Sequence, residues 1–141
     1  MKIALLFLLP LSGWACECAV STIQTDVQST SFIAVGRVIE LLDTDQDREN
    51  YVWRQPGHAH RVRFEVQEAF KGLSPGQVIT IESNFSDCAF YFKYNAEYVL
   101  FIEKFRGHYM AHICTYSGRT ESSQDTIRYL RRILPAVKHK D

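Results

Sequence analysis

The positions of four cysteines constrain the fold of this chain more strongly than any other feature of its sequence. Cys16 and Cys18 are separated by one residue, whereas Cys88 and Cys114 follow much later. A bridge between the first two would close a small, strained ring. Either of the other pairings ties the amino-terminal pair to two distant points, and each bridge would stabilise the fold by about 4 kcal/mol on the chain-entropy model. The wide spacing also disfavours a zinc site, whose ligands usually occur in close pairs.

The first residues predict that the chain is exported into an oxidising compartment. An apolar run over residues 3–11 is followed by Gly13 and Ala15, which provide the small side chains of a cleavage site. The run is shorter than the roughly 20 residues that cross a bilayer. We therefore expect a secretory signal peptide over residues 1–15 and a secreted domain, extracellular or periplasmic, over residues 16–141. The alternatives are a buried strand and a lipoprotein signal that modifies the cysteine after the site.

Composition excludes several classes of function. The 141 residues contain 16 Lys+Arg and 16 Asp+Glu, so the chain lacks the net positive charge with which proteins bind nucleic acid. A hydrophobic content of 46% supports one folded domain. The sequence has no serine nucleophile elbow, no phosphate-binding glycine loop and no carboxylate pair with a local motif. We therefore expect neither an enzyme nor a cofactor, and no segment after the signal peptide that spans a membrane.

Alternating and continuous apolar runs predict an all-β domain with flanking helices. Strands are expected at residues 32–42, 62–67, 78–83, 88–92, 97–105 and 108–114. A short amino-terminal helix is expected at residues 21–30, where Ser21 and Gln24 fit a capping box. A carboxy-terminal amphipathic helix is expected between Ser122 and Pro135, with its apolar stripe packed on the strands rather than on a membrane surface. Five or six short strands favour a partly open, five-stranded Greek-key barrel over a sandwich.

Histidines and acidic residues between and within these strands are interpreted as solvated or structural groups. His58 and His60 lack a nearby third metal ligand and are expected to be solvated, at the end of a long loop over residues 42–60. Asp43 begins an acidic series that lacks the glycine and the final glutamate of a calcium loop. His108 is expected to satisfy local hydrogen bonds in the barrel.

The order and spacing of six short motifs make the chain resemble a known family. The motifs are Cys16-Glu17-Cys18, Ile33-Ala34-Val35-Gly36-Arg37-Val38, Phe70-Lys71-Gly72, Cys88-Ala89-Phe90-Tyr91-Phe92, Glu97-Tyr98-Val99-Leu100 and His112-Ile113-Cys114-Thr115. Together they are similar to the netrin-like family, and most closely to the inhibitory domain of the tissue inhibitors of metalloproteinases. The resemblance covers the expected mature chain from Cys16 to about Thr115, and it implies an OB-type barrel.

The resemblance also implies a pairing of the cysteines and a mechanism. The implied bridges are Cys16–Cys88 and Cys18–Cys114. In the family, the free α-amine and the carbonyl oxygen of the first cysteine bind the catalytic zinc of a protease and displace the water that the metal would activate. Carried onto this chain, Cys16 would bind the zinc of a secreted metalloendopeptidase, and the bridges would hold the terminus in position.

Further side chains are implied to contact the protease. Glu17 would enter the specificity pocket beside the zinc. The remaining contacts are expected from two short segments, which consist of Cys18, Ala19 and Val20, and of Phe85, Ser86, Asp87 and Cys88. Both segments would belong to one inhibitory surface.

Departures from the family pattern leave other functions open. Glu17 stands where the animal inhibitors carry a small polar residue, and a carboxylate in an apolar pocket is costly unless it is paired. The third disulfide of the inhibitory domain and the cysteine-rich second domain are missing. One alternative is a non-inhibitory netrin-like module that binds another extracellular or periplasmic partner. The other is a thiol–disulfide oxidoreductase using Cys16 and Cys18, which is disfavoured because redox pairs usually have two intervening residues.

Overall fold

The chain folds into a mostly β structure with a closed five-stranded barrel and two helices. The computed structural model describes residues 17–43, 56–83 and 89–135. The helices are α1 (Ile23–Ser29) and α2 (Gln124–Ile133), and a 3-10 turn (Thr120–Ser122) precedes α2. The strands are β1 (Phe32–Leu41), β2 (His58–Ala59), β3 (Arg61–Lys71), β4 (Val78–Glu82), β5 (Phe92–Lys93), β6 (Glu97–Phe105), β7 (His108–Ala111) and β8 (Gly118–Arg119).

Strand pairing closes the barrel into a ring. β1 pairs antiparallel with both β3 and β6, β3 pairs antiparallel with β4, and β6 pairs antiparallel with β7. A parallel pairing between β4 and β7 completes the ring, whose order is β1-β3-β4-β7-β6-β1. β8 pairs with the start of β6, while β2 and β5 form a separate two-stranded sheet. The predicted barrel of five strands is therefore confirmed, but it is closed rather than partly open because β4 and β7 pair.

Gly36 allows β1 and β3 to approach each other closely at a bend in the barrel wall. Register shifts interrupt the pairing of these strands at Val35/Gly36 and again before Glu40. A Cβ atom at Gly36 would overlap the carbonyl oxygen of Glu65 and would lie 2.7 Å from the ring of Phe64. Bulges and glycines of this kind bend a strand and let another backbone come near. A larger residue at this position would push β3 away from β1.

Strands β1 and β6 bury side chains on both of their faces, and two hydrophobic layers result. The interior layer fills the barrel and includes Ala34, Val38, Phe64, Leu100 and Ile102. The outer layer lies between the wall and the helices and includes Val27, Ile33, Val35, Val99, Phe101, Ile127 and Leu130. Because Ile127 and Leu130 of α2 are buried there, the predicted packing of this helix on the strands is confirmed. α2 also ends before Pro135, as predicted.

The first helix is shorter than predicted and uses a different cap. Thr22, not Ser21, has the extended N-cap conformation, and its hydroxyl accepts a hydrogen bond from the backbone N–H of Thr25 at 3.2 Å. At the other end of α1, Lys71 Nζ donates to the carbonyl oxygen of Val27 at 2.8 Å. A lysine at this position satisfies a carbonyl group that has no partner within the helix. The two contacts fix both ends of a helix of only seven residues.

His60 is buried, so the prediction that it is solvated is wrong. The carboxylate of Asp43 accepts hydrogen bonds from the backbone N–H groups of His60 at 2.7 Å and Arg61 at 2.8 Å, and thereby fixes the start of β3. The His60 ring packs on Tyr91, with ring centroids 4.4 Å apart. Burial lowers the pKa of His60 from its ordinary value, and the charge of Asp43 opposes this change. Residues 44–55 of the predicted long loop lie outside the described residues.

Candidate functional site

The amino-terminal segment, residues 17–20, is exposed and is held at the barrel by a disulfide. All four residues are exposed, and the side chain of Val20 is fully accessible to solvent. Cys18 is bonded to Cys114 across a sequence separation of 96, with the two Cα atoms 5.1 Å apart. The resemblance implied this bridge. It fixes the amino-terminal segment to the chain that follows β7.

The other expected site residues lie outside the part of the chain that the structure describes. They are Cys16, Phe85, Ser86, Asp87 and Cys88. The Cys16–Cys88 bridge and the second contact segment therefore remain predictions, as does the signal peptide over residues 1–15. A hydrogen bond joins the described residues that flank the second contact segment: the backbone N–H of Phe90 donates to Ser83 Oγ at 2.6 Å.

Hydrogen bonds hold the segment that carries Cys114, residues 112–117, on the barrel wall. Thr115 Oγ1 donates to the carbonyl oxygen of His112 at 2.9 Å and lies 2.8 Å from Ser117 Oγ. Ser117 Oγ accepts a hydrogen bond from the backbone N–H of Phe101, in the middle of β6, at 2.8 Å. The bridge therefore joins the amino-terminal segment to a part of the chain whose position is set by the most buried strand.

Asp26 connects α1 to the same segment. Its side chain is buried, and Oδ2 accepts a hydrogen bond from the backbone N–H of Tyr116 at 3.1 Å. Leaving such a buried group without its partner costs about 1–3 kcal/mol. Residues 112–117 are thus joined both to Cys18, which precedes α1, and to α1 itself. These two connections restrict the direction in which the amino-terminal segment leaves the barrel.

Two apolar side chains beside the bridge complete the exposed surface and were not predicted as site residues. Ile113 and Tyr116 are each more than one third exposed. With Cys18, Ala19, Cys114 and Thr115, they line an open groove of about 250 Å³. Their position in the sequence on either side of Cys114 was the available signal, because a cysteine bridged to the amino terminus brings its neighbours to that terminus.

The described residues contain no group of three His, Cys, Asp or Glu side chains arranged to hold a metal ion. His108 lies on β7 with Nδ1 3.3 Å from Glu82 Oε1 on the paired strand β4. Among the helices described, none combines the length and the apolar character needed to cross a membrane.

Comparison with known proteins gives no family assignment. Neither a protein-family model nor a curated protein matches the chain. Function has therefore to be inferred from the barrel, the Cys18–Cys114 bridge and the exposed segment that the bridge holds.

Proposed function

We propose that this protein is a secreted inhibitor of a zinc metalloendopeptidase, built on a netrin-like barrel of the OB type. In this proposal the mature chain begins at Cys16, whose free α-amine and carbonyl oxygen bind the catalytic zinc of the protease. The amino-terminal segment and residues 84–88 then lie against the protease. The observation that carries the proposal is the exposure of residues 17–20 beside the Cys18–Cys114 bridge.

The order of the barrel strands supports the OB-type interpretation. The first three barrel strands along the chain, β1, β3 and β4, are neighbours in the ring, and the fourth, β6, lies beside the first. This arrangement corresponds to the spatial order 4-1-2-3 of a Greek key. A small barrel of five strands with Greek-key connections is the architecture of the OB type.

Rigid attachment of the amino-terminal segment favours a binding function. Ordering a side chain at an interface costs about 0.5–1.5 kcal/mol, and this cost is smaller when the bound geometry already exists in the free protein. The bridge to Cys114 and the hydrogen bond from Tyr116 to Asp26 restrict the segment before any partner binds. An exposed segment held in this way is suited to insertion into the cleft of another protein.

The proposed chemistry needs only main-chain atoms of the first residue. A catalytic zinc ion has three protein ligands and keeps one position for water. An amine nitrogen and a carbonyl oxygen from one residue would bind there as two ligands, making the zinc five-coordinate, and would displace the water, which is the nucleophile of the hydrolytic reaction. An α-amine has a pKa of about 7.7–8.0, so the neutral form that binds zinc is accessible near neutral pH. The protease supplies the metal, and the inhibitor needs none of its own.

In the proposed complex, Glu17 restricts which proteases the protein can inhibit. Its side chain is exposed immediately beside Cys18, and in the proposed complex it enters the pocket next to the zinc. An unpaired carboxylate in an apolar pocket would be costly. We therefore expect a target whose pocket contains a cation, and weak inhibition of proteases whose pocket is apolar.

A panel of secreted zinc endopeptidases, assayed with protein that begins at Cys16, tests the proposal. We expect stoichiometric inhibition of at least one protease with a basic pocket. Intact mass spectrometry of the secreted protein should give the mass of a chain that starts at Cys16 with an unmodified amine. Extra residues ahead of Cys16, or an acyl group on its nitrogen, would contradict the mechanism.

The matched control is the same protein with its α-amine selectively acetylated. Acetylation converts the amine into an amide, which no longer offers a lone pair to zinc, so inhibition should disappear. Equal inhibition by both forms would show that the protein binds the protease without using the amine. If every protease kept its full activity in the presence of the unmodified and the acetylated protein, the alternative of a netrin-like module without inhibitory function would be favoured.

A further inference from the structure

A second concave surface shares Ile113 with the groove beside the bridge. It is a cavity of about 320 Å³ that opens to solvent and is lined mainly by His58, Phe90, Tyr91, Tyr98, Ile113 and Arg119. Among its described lining residues there is an arginine and no acidic side chain. Its residues come from five separate parts of the chain, so no local sequence pattern predicts this cavity.

Aromatic rings form the floor of the cavity. The ring of Phe90 packs on those of Phe92 and Tyr98, with centroid distances of 4.8 Å and 5.6 Å. The hydroxyl of Tyr98 accepts a hydrogen bond from the backbone N–H of Lys93 at 2.8 Å, which fixes the ring. Burial raises the pKa of Tyr98. An apolar, fixed floor of this kind strengthens the attraction between charges placed above it.

Strand pairing places Arg119 beside this floor. β8 pairs with β6 so that Arg119 lies opposite Tyr98, and directly opposed residues of an antiparallel pair share one face. Arg119 Nη2 donates to Glu121 Oε1 at 2.7 Å, whereas its buried Nε has no hydrogen-bond partner among the described residues. A guanidinium group binds a carboxylate best through two parallel N–H groups, and the single hydrogen bond to Glu121 lacks the second of these.

Glu121 is a competitor that a ligand can displace. It lies on the 3-10 turn, and its side chain is 76% exposed. Ion pairs between exposed side chains contribute little to stability because water and salt screen them. A carboxylate that enters the cavity would replace Glu121 as the acceptor of the Arg119 Nη2 hydrogen bond, while an apolar group attached to it would contact the rings of Phe90 and Tyr98.

We propose that this cavity binds a carboxylate carried on an apolar group, with Arg119 as the residue that recognises its charge. A small aromatic acid and an acidic side chain of a bound protein present the same chemistry. Three observations on the described residues carry the proposal: a lining that contains an arginine and no acidic side chain, an aromatic floor, and a single exposed ion pair of Arg119 with Glu121 that a ligand carboxylate can replace. The site does not require the protein to be a protease inhibitor.

Titration of the folded, isotope-labelled protein with benzoate tests this proposal by NMR. Benzoate should produce saturable shifts of the Arg119 Nε–H signal and of the Phe90 and Tyr98 ring signals. Benzyl alcohol, which has a similar shape and no charge, should bind at least about tenfold more weakly because it cannot form the charged pair. Peptides that are blocked at both ends and contain Phe-Glu or Phe-Gln distinguish the two possible ligands. Tighter binding of the Phe-Glu peptide assigns the site to an acidic side chain of a bound protein. A response to benzoate and to neither peptide assigns it to a small aromatic acid.

Three variants separate recognition by Arg119 from general binding. Arg119→Gln should abolish the response to benzoate, whereas Arg128→Gln, at an exposed arginine of α2, should leave it unchanged. Glu121→Gln should strengthen benzoate binding severalfold, because it removes the competing carboxylate. Equal binding of benzoate and benzyl alcohol, an unaltered response in Arg119→Gln, or weaker binding in Glu121→Gln would overturn the proposal. The Glu121→Gln result remains decisive if Arg119→Gln does not fold.

Discussion

The barrel wall and the amino-terminal segment are held in position by different means. β1 and β6 each pair with strands on both edges, and their alternating residues are buried in the interior and outer layers. Residues 17–20 are exposed, and the Cys18–Cys114 bridge joins them to the barrel. Packing therefore fixes the wall, whereas a covalent bond and the hydrogen bonds behind it fix the segment. The wall and the bridge should accordingly both contribute to stability, whereas binding should depend on the exposed segment.

Truncation of a wall residue should give the largest loss of stability. Phe101 is completely buried in the outer layer, so Phe101→Ala should lower the free energy of unfolding by about 3–5 kcal/mol. The matched control is Phe105→Ala on the same strand, where the side chain is 61% exposed and the expected loss is about 0.5 kcal/mol. Urea unfolding measures both. Similar losses in the two variants would show that the outer layer does not carry the stability assigned to it.

Removal of the bridge should give the next largest effect and tests the segment's own contribution. The double substitution Cys18→Ser and Cys114→Ser should lower the free energy of unfolding by about 2–5 kcal/mol, because the unfolded chain loses a constraint over a long loop. The amide signals of residues 17–20 should also show increased motion in NMR relaxation. If stability and relaxation both remained as in the parent protein, the bridge would not be what positions the segment.

Loss of the buried contact behind the bridge should have a smaller effect. Asp26→Ala removes the acceptor of the Tyr116 backbone N–H, and we expect a loss of about 1–3 kcal/mol in the free energy of unfolding. Asp125→Ala is the matched control, because that carboxylate is almost fully exposed, and its loss should be about 0.5 kcal/mol or less. Equal values for the two aspartates would contradict the role given to Asp26.

The pH dependence of stability should show the smallest of these effects. Burial holds the pKa of His60 below its ordinary value of 6.5, so the unfolded chain binds more protons than the folded chain as the pH falls below that value. This difference removes stability progressively on acidification. The decline in unfolding free energy from pH 7 to pH 5 should therefore be less steep in His60→Gln than in the parent protein. Parallel curves for parent and His60→Gln would contradict the assignment.

Contacts that follow from sequence periodicity were predictable, and contacts made between distant residues were not. The alternation of Val62, Phe64 and Val66 predicted β3, and the continuous apolar run of β6 predicted a strand buried on both faces. The burial of His60 was missed because its neighbours are distant in the sequence: Asp43 binds its backbone N–H from the far side of the long loop, and Tyr91 packs on its ring. The position of Ile113 beside the amino-terminal segment likewise follows from the Cys18–Cys114 bridge, and sequence spacing alone did not decide between the possible pairings.

One motif that carries the family resemblance has a structural explanation. Phe70 is buried in the outer layer, Lys71 binds the last turn of α1, and a Cβ atom at Gly72 would lie 2.6 Å from the carbonyl oxygen of Ser31. The left-handed conformation of Gly72 adds to this restriction. These three residues therefore stabilise the fold, and their presence is not evidence for an inhibitory function. Among the quoted motifs, Cys16-Glu17-Cys18 bears most directly on the proposed function.

The addition of one alanine ahead of Cys16 tests the central claim most directly. The extended protein should unfold with the same free energy as the parent, because none of the described residues that follow Cys16, residues 17–20, belongs to either hydrophobic layer. Its inhibition constant for a susceptible zinc protease should rise by about 100-fold or more, since the amine of Cys16 becomes a peptide nitrogen and the equivalent binding energy of about 2.8 kcal/mol is lost. Equal inhibition constants for the two proteins would contradict zinc binding by the amino terminus.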